Sequence, residues 1–215
     1  MPAKHSGAIA SLRSNLIEYA RHWPAEAEHT QPFLELLDEA QRFDQGDAPS
    51  AVQTDDAVQH AANGDSDPFL RERLTGHFTG GVWLVDRAGQ RVLLTHHRKL
   101  GRWLQLGGHA DGDRDLAQVA LREAEEESGL TGLSVEPGLF DVDRHWIPER
   151  RDVPGHWHYD LRFVVRAGDN EDYVVSEESL DLAWRDIAGL LDDPGSDDSM
   201  QRMARKWLAR AGQVR

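Results

Sequence analysis

The segment that most restricts the fold reads DLAQVALREAEEES and is closed by Gly129. Leu116, Ala120 and Ala124 recur at helical spacing, which predicts one buried helix face starting near Asp115. Gly129 stands where a residue in the left-handed conformation ends such a helix. Away from the apolar face, Glu123, Glu126 and Glu127 occupy positions i, i+3 and i+4, so their carboxylates share a side. Like charges at this spacing destabilise an isolated helix by tenths of a kcal/mol per pair, roughly 0.2 to 0.5. The run is either a solvated acidic face or the wall of a site that needs a cation to neutralise it.

The surroundings set this helix among strands. HFTGGVWLVD and RVLLTHH flank the turn residues Arg87, Ala88, Gly89 and Gln90, which predicts a hairpin. A Gly- and Asp-rich loop, LGRWLQLGGHADGD, leads into the helix. Strand-like segments follow it in LSVEPGLFDVD, WHYDLRFVVRA and YVVSEESLDLAWRDI, and a last helix is expected over Met200 to Ala211. Upstream, Ile9, Leu12, Leu16 and Tyr19 predict a helix stopped by Pro24. Phe33, Leu36, Leu37 and Ala40 predict a second one from about Pro32 to Phe43. The stretch from Asp44 to about Asp67 reads as a linker, and FLRERL after Pro68 as a short helical piece. The expected architecture is α+β, with residues 1–67 an N-terminal helical extension and linker and 68–215 the main domain.

The acidic run lies at a fixed distance after Leu106-Gly107-Gly108-His109. Gly108, Arg122, Glu123, Ala124, Glu126, Glu127, Gly129 and Leu130 together resemble the Nudix box, G-x5-E-x7-R-E-U-x-E-E-x-G-U. With ordinary residue usage, its six fixed matches arise by chance on the order of once in 10⁴ to 10⁵ chains of this length. One position departs from the pattern, because Arg114 stands where the first glutamate belongs. Asp113 and Asp115 flank it, and Asp115 can cap the helix. Restoring the pattern with Arg114→Glu is expected to change activity only modestly.

The resemblance implies an α/β/α sandwich with a mixed sheet. It also implies a Mg²⁺-dependent hydrolase, with Mn²⁺ able to substitute, that cleaves a phosphoric anhydride in a nucleoside-diphosphate-linked or related small substrate. Carried over residue by residue, Glu123, Glu126, Glu127 and the Gly107 carbonyl are metal ligands, and Glu126 or Glu127 serves in catalysis beside Arg122, which holds the glutamates. Metal ions there would screen phosphate oxygens and activate a water. With no cysteine and no assembled histidine cage legible in the sequence, hard oxygen ligands are the expected metal donors.

Other residues are weighed around this core. His156, His158 and Asp160 alternate along one strand and should share a face, either as a second metal site, a substrate-facing stripe, or a merely wet strand surface. Asp160 is taken as a catalytic candidate and His158 as a substrate contact. Arg98 and Arg102 precede the box and could hold phosphate, and Glu177, before Trp184, is a candidate general base.

The net charge of -14 counts against non-specific nucleic-acid binding, although a small phosphorylated substrate can be neutralised locally by metal. No apolar run approaches the roughly 20 residues of a membrane span, so a soluble cytoplasmic protein is expected. Residues before Pro68 could pack beside the site, extend the sheet or mediate homodimerisation. Two rivals share the fold: an isoprenoid-diphosphate isomerase and a non-catalytic ligand-binding domain. The first would need additional metal-binding histidines and a proton-transferring residue near the box; His109, His156 and His158 keep it open, but the absence of cysteine weighs against it, and the second commonly loses the glutamates kept here.

Overall fold

A computed structural model describes residues 2–46, 66–98, 100–150, 153–176 and 179–213 of the chain, with side chains from residue 7 to residue 210. Helix α1 (Pro2–His22) is followed by a 3-10 turn at Pro24–Thr30 and by α2 (Gln31–Gln45). Then come strands β1 (His77–Val85), β2 (Arg91–His97), β3 (Arg102–Leu104) and β4 (Leu106–His109), followed by helix α3 (Leu116–Ser128). Strands β5 (Ser134–Val135), β6 (Asp141–Ile147), β7 (His156–Arg166) and β8 (Ser179–Asp186) precede α4 (Asp198–Gln213). The eight strands form one sheet in the order β3-β2-β1-β7-β5, with β4 on β1, β6 on β7 and β8 on β2. Strand β1 is buried along its whole length, as its two-sided apolar sequence requires.

The chain divides into two compact units. One comprises Met1–Gly80, His109–Leu116 and Val142–Leu161, and the other Gly81–Gly108, Ala117–Asp141 and Arg162–Arg215.

In the first unit the apolar faces read from the sequence are the ones buried: Ile9, Leu12, Leu16 and Tyr19 on α1, and Phe33, Leu36, Leu37 and Ala40 on α2. Phe33 meets Tyr159 edge-on at 5.4 Å, and Phe69 lies 4.7 Å from Phe78, so the N-terminal helices share a core with the starts of β1 and β7. FLRERL is not helical. It forms successive turns, with Leu70 N–H bonded to the Asp67 carbonyl and Arg73 N–H to that of Leu70. Phe78 N–H reaches the Pro68 carbonyl, so this segment is held by the strand that follows it.

The core of the second unit gathers Trp83, Val85, Val92 and Leu94 from the hairpin with Phe140, Val164, Ile187, Leu190, Met200, Met203 and Trp207. The β1–β2 turn forms where expected. Gly89 takes a left-handed φ of 68°, and the Asp86 carboxylate accepts from Gln90 N–H at 2.8 Å and Arg91 N–H at 3.1 Å. The Gly-rich segment before α3 contains two strands, β3 and β4, where the sequence suggests a loop. Residues 173–176, read as strand, are irregular, and β8 begins only at Ser179.

Candidate functional site

Helix α3 carries Leu116, Val119, Ala120, Ala124 and Ser128 into the interior and turns its glutamates away from them. Gly129 ends it at φ 67°, its N–H closing on the Glu125 carbonyl at 2.9 Å. Two of the three glutamates meet the backbone of β4. The Glu127 carboxylate accepts from Gly107 N–H at 2.8 Å, and the Glu123 carboxylate packs so closely on Gly108 that a Cβ there would overlap it. Gly107 has a φ of 147°, which favours glycine. Glu126 is exposed on the helix and Arg122 is half-buried. Carboxylates with a backbone carbonyl on the same strand are the hard oxygen donors that a Mg²⁺-like cation takes, so the residues present fit the ion the sequence implies.

The cations before the box have other partners in the second unit. Arg98 donates to the Ser179 carbonyl at 2.9 Å, and exposed Arg102 lies 3.6 Å from Asp197. Glu177 lies outside the described residues. Trp103 stacks on His96 at 5.1 Å and is partly buried against the core.

The histidine stripe belongs to the first unit and is larger than the sequence shows. His77, His109, His145, His156 and His158 form a connected cluster, with ring centroids 4.9 Å apart for His77–His158, 5.1 Å for His77–His109 and 5.2 Å for His109–His158. His156 is 5.0 Å from both His77 and His158, and His145 is 5.4 Å from His158. Ligand atoms of His77, His109 and His158 lie within 4.8 Å of one another. Burial, reinforced by the neighbouring imidazoles, lowers the His109 pKa to about 4 and that of His158 to about 2. Burial also lowers that of His77, so these rings are neutral at neutral pH. Asp160, on the same stripe, is buried and accepts from the Thr79 hydroxyl at 3.0 Å.

His77 is the residue the sequence reading leaves out. A histidine opening an apolar strand carries no local signal, and its partners come from β4 and β7. Separate strands thus bring His109 and His158, both weighed from the sequence, together with His77 in a group that could hold a metal ion.

Arg114 also receives an explanation. Its side chain is buried, bonded to Asp44 at 2.7 Å, to Asp67 at 2.6 Å and to the Gly112 carbonyl at 2.9 Å, with its guanidinium 4.8 Å from the Phe69 ring. Burial alone would lower its pKa, but the two carboxylates outweigh that and raise it. The position that is glutamate in the Nudix pattern is here an ion-pair anchor inside the first unit.

A family model described as the NUDIX domain matches residues 77–207, and the chain belongs to that family. A Mycobacterium tuberculosis protein provisionally named 8-oxo-dGTP diphosphatase 3 is 31% identical over 138 residues, covering 58% of this chain and 61% of the relative. The chain thus spans about three-fifths of the length of the curated relatives it matches. Among solved structures, the MutT protein of Methanosarcina mazei Go1 superposes with a TM-score of 0.51 at 16% identity, over 64% of this chain and 96% of that one. An Ap4A hydrolase from C. elegans gives 0.50 at 18% identity, over 63% and 98%. The expected α+β Nudix fold with a mixed sheet and an N-terminal helical region is the one found.

Proposed function

We propose that this Nudix protein is a Mg²⁺-dependent pyrophosphohydrolase acting on a phosphoanhydride of a small nucleotide-like substrate, with residues 68–215 as the catalytic domain and residues 1–67 as its helical extension and linker. The observation that carries the reading is the approach of the Glu123 and Glu127 carboxylates to Gly108 and Gly107. It ties the two ends of the matched motif into one patch of oxygen donors. The provisional name of the 31% identical relative supports a nucleotide substrate.

Glu123, Glu127 and the Gly107 carbonyl would hold the metal, with Glu126 a further ligand or base on the exposed side of α3. Bound Mg²⁺, or Mn²⁺ in its place, supplies charge neutralisation for the phosphates and a more acidic water. The Gly107 N–H holds one oxygen of the Glu127 carboxylate against β4. Arg122 holds the carboxylates, Asp160 and Glu177 are the candidate proton acceptors, and Arg98, Arg102 and His158 are candidate substrate contacts. Among the described residues no helix is long and apolar enough to cross a membrane, and the proposed place of action is the cytoplasm.

Purified protein should release phosphate, pyrophosphate or a nucleoside monophosphate from a panel of nucleoside triphosphates, dinucleoside polyphosphates and nucleoside-diphosphate sugars when Mg²⁺ is present. Excess chelator should abolish turnover and Mg²⁺ should restore it. Full activity in chelator would sink the reading.

A further inference from the structure

The first unit contains a second set of ligand atoms of different chemistry. His77 is 1% exposed, and its Nδ1 lies 3.0 Å from the Arg73 carbonyl. A carbonyl can only accept, so Nδ1 carries the proton and Nε2 presents a lone pair. That Nε2 is buried with no hydrogen-bond partner. A ring oriented by a backbone carbonyl on one nitrogen, with a bare lone pair on the other, is how proteins hold a metal-ligating histidine. Two neighbours are oriented similarly. His156 Nδ1 contacts the Pro154 carbonyl at 2.9 Å, and His145 Nδ1 contacts the Asp143 carboxylate at 3.1 Å.

His77, His109 and His158 each offer a ligand atom within 4.8 Å of the other two, a grouping that could hold one ion. Tetrahedral zinc with Zn–N bonds of roughly 2.0 to 2.1 Å has N···N edges of about 3.3 Å. His156, its Nδ1 proton held by the Pro154 carbonyl, accepts at Nε2 from His158 Nε2 at 3.2 Å, which leaves Nδ1 as the His158 nitrogen with a lone pair. Imidazole suits zinc, copper, nickel and iron, whereas Mg²⁺ prefers oxygen and retains its waters.

We propose that His77, His109 and His158 form a mononuclear site for a borderline divalent metal such as Zn²⁺, with the fourth position open to water or to an oxygen of a bound ligand. His156 stands beside this site as an outer partner, and the Arg73 carbonyl sets the tautomer of His77. The site does not depend on the glutamates of α3, and three protein ligands with one open position mark it as a ligand-binding metal rather than a closed structural one.

Metal-stripped protein titrated with Co²⁺ should develop the visible absorption of a tetrahedral nitrogen site that saturates at one ion per chain, and Zn²⁺ should bleach it. His109→Gln and His158→Gln should each weaken Co²⁺ binding by about a hundredfold or more, beyond what loss of an outer partner costs. Glu123→Gln and Glu127→Gln should leave the Co²⁺ spectrum unchanged even if they abolish hydrolysis, so failure of this site and failure of the hydrolase reading are told apart. Equal Co²⁺ binding by the histidine variants, or its loss in the glutamate variants, would overturn the proposal. Imidazole ¹⁵N spectra of the wild type provide a measure independent of variant folding. On adding Zn²⁺, His77, His109 and His158 should shift while His22 and His29 stay fixed, and three unmoved resonances would equally overturn it.

Discussion

The contact between Glu127 and Gly107 makes the effect of one substitution a competition between two small terms. Glu127→Gln removes the repulsion from Glu123 one turn earlier, a gain of about 0.2 to 0.5 kcal/mol. It also replaces a charged acceptor of the Gly107 N–H by a neutral one, a loss of about 1 kcal/mol. The loss should win, so urea unfolding in chelator should find the variant less stable by about 0.5 kcal/mol. On the proposed function, turnover with Mg²⁺ should fall by at least about a hundredfold, because the missing charge would act where the phosphoanhydride breaks. Wild-type turnover would remove Glu127 from the site. Gly108→Ala tests the neighbouring contact, since its Cβ would overlap the Glu123 carboxylate and displace it. Far-UV circular dichroism should remain that of the wild type while turnover drops by more than about tenfold; an active variant would show that Glu123 need not lie against β4. These glutamates are legible in the sequence because helical spacing is a local property. His77 is not legible, because its partners lie tens of residues further along the chain and only strand pairing brings them near.

Between elements, Arg114 joins the end of α2 and the Asp67 turn to the loop that enters α3. A buried cation between two carboxylates cannot be replaced by a third carboxylate without leaving uncompensated charge, which costs about 3 to 5 kcal/mol. Arg114→Glu should therefore lower the thermal midpoint substantially, an effect on stability separate from the modest change in activity expected from the motif. A melting curve matching the wild type would mean that Asp44 and Asp67 find other partners. The helices themselves could be read beforehand, because each carries its own apolar stripe and its own stop, Pro24 for α1 and Gly129 for α3. The strands β3 and β4 were hidden by glycines, whose presence signals a loop unless neighbouring strands supply hydrogen bonds, as β2 does for β3 at Thr95–Leu104. FLRERL has helical residues but is held as turns by long-range bonds to the Pro68 and Phe69 carbonyls from Phe78 and Gly112.

For the molecule as a whole, acid stability should turn on one buried carboxylate. Asp141, fully enclosed at the start of β6, accepts from Arg162 at 3.0 Å, from Arg202 at 2.7 and 3.0 Å and from Lys206 at 2.6 Å. Burial by itself would raise its pKa. The Arg202 hydrogen bonds and the charges of Arg162 and Lys206 outweigh burial and hold it below the ordinary carboxylate value. A folded pKa below the unfolded one means that the native state binds fewer protons in between, so this contribution is complete above the unfolded value of about 4. It is lost as pH falls through the depressed folded value. Asp141→Asn keeps the shape but leaves three cations together without their counter-charge, and should cost about 3 to 5 kcal/mol at pH 7. Denaturant unfolding of both proteins from pH 7 downward should show a constant difference to about pH 5 and a shrinking one below about pH 4, where the unfolded wild-type chain takes up a proton that native Asp141 does not. A difference that stayed the same at every pH would assign the role of Asp141 to hydrogen-bond geometry and packing rather than to its charge.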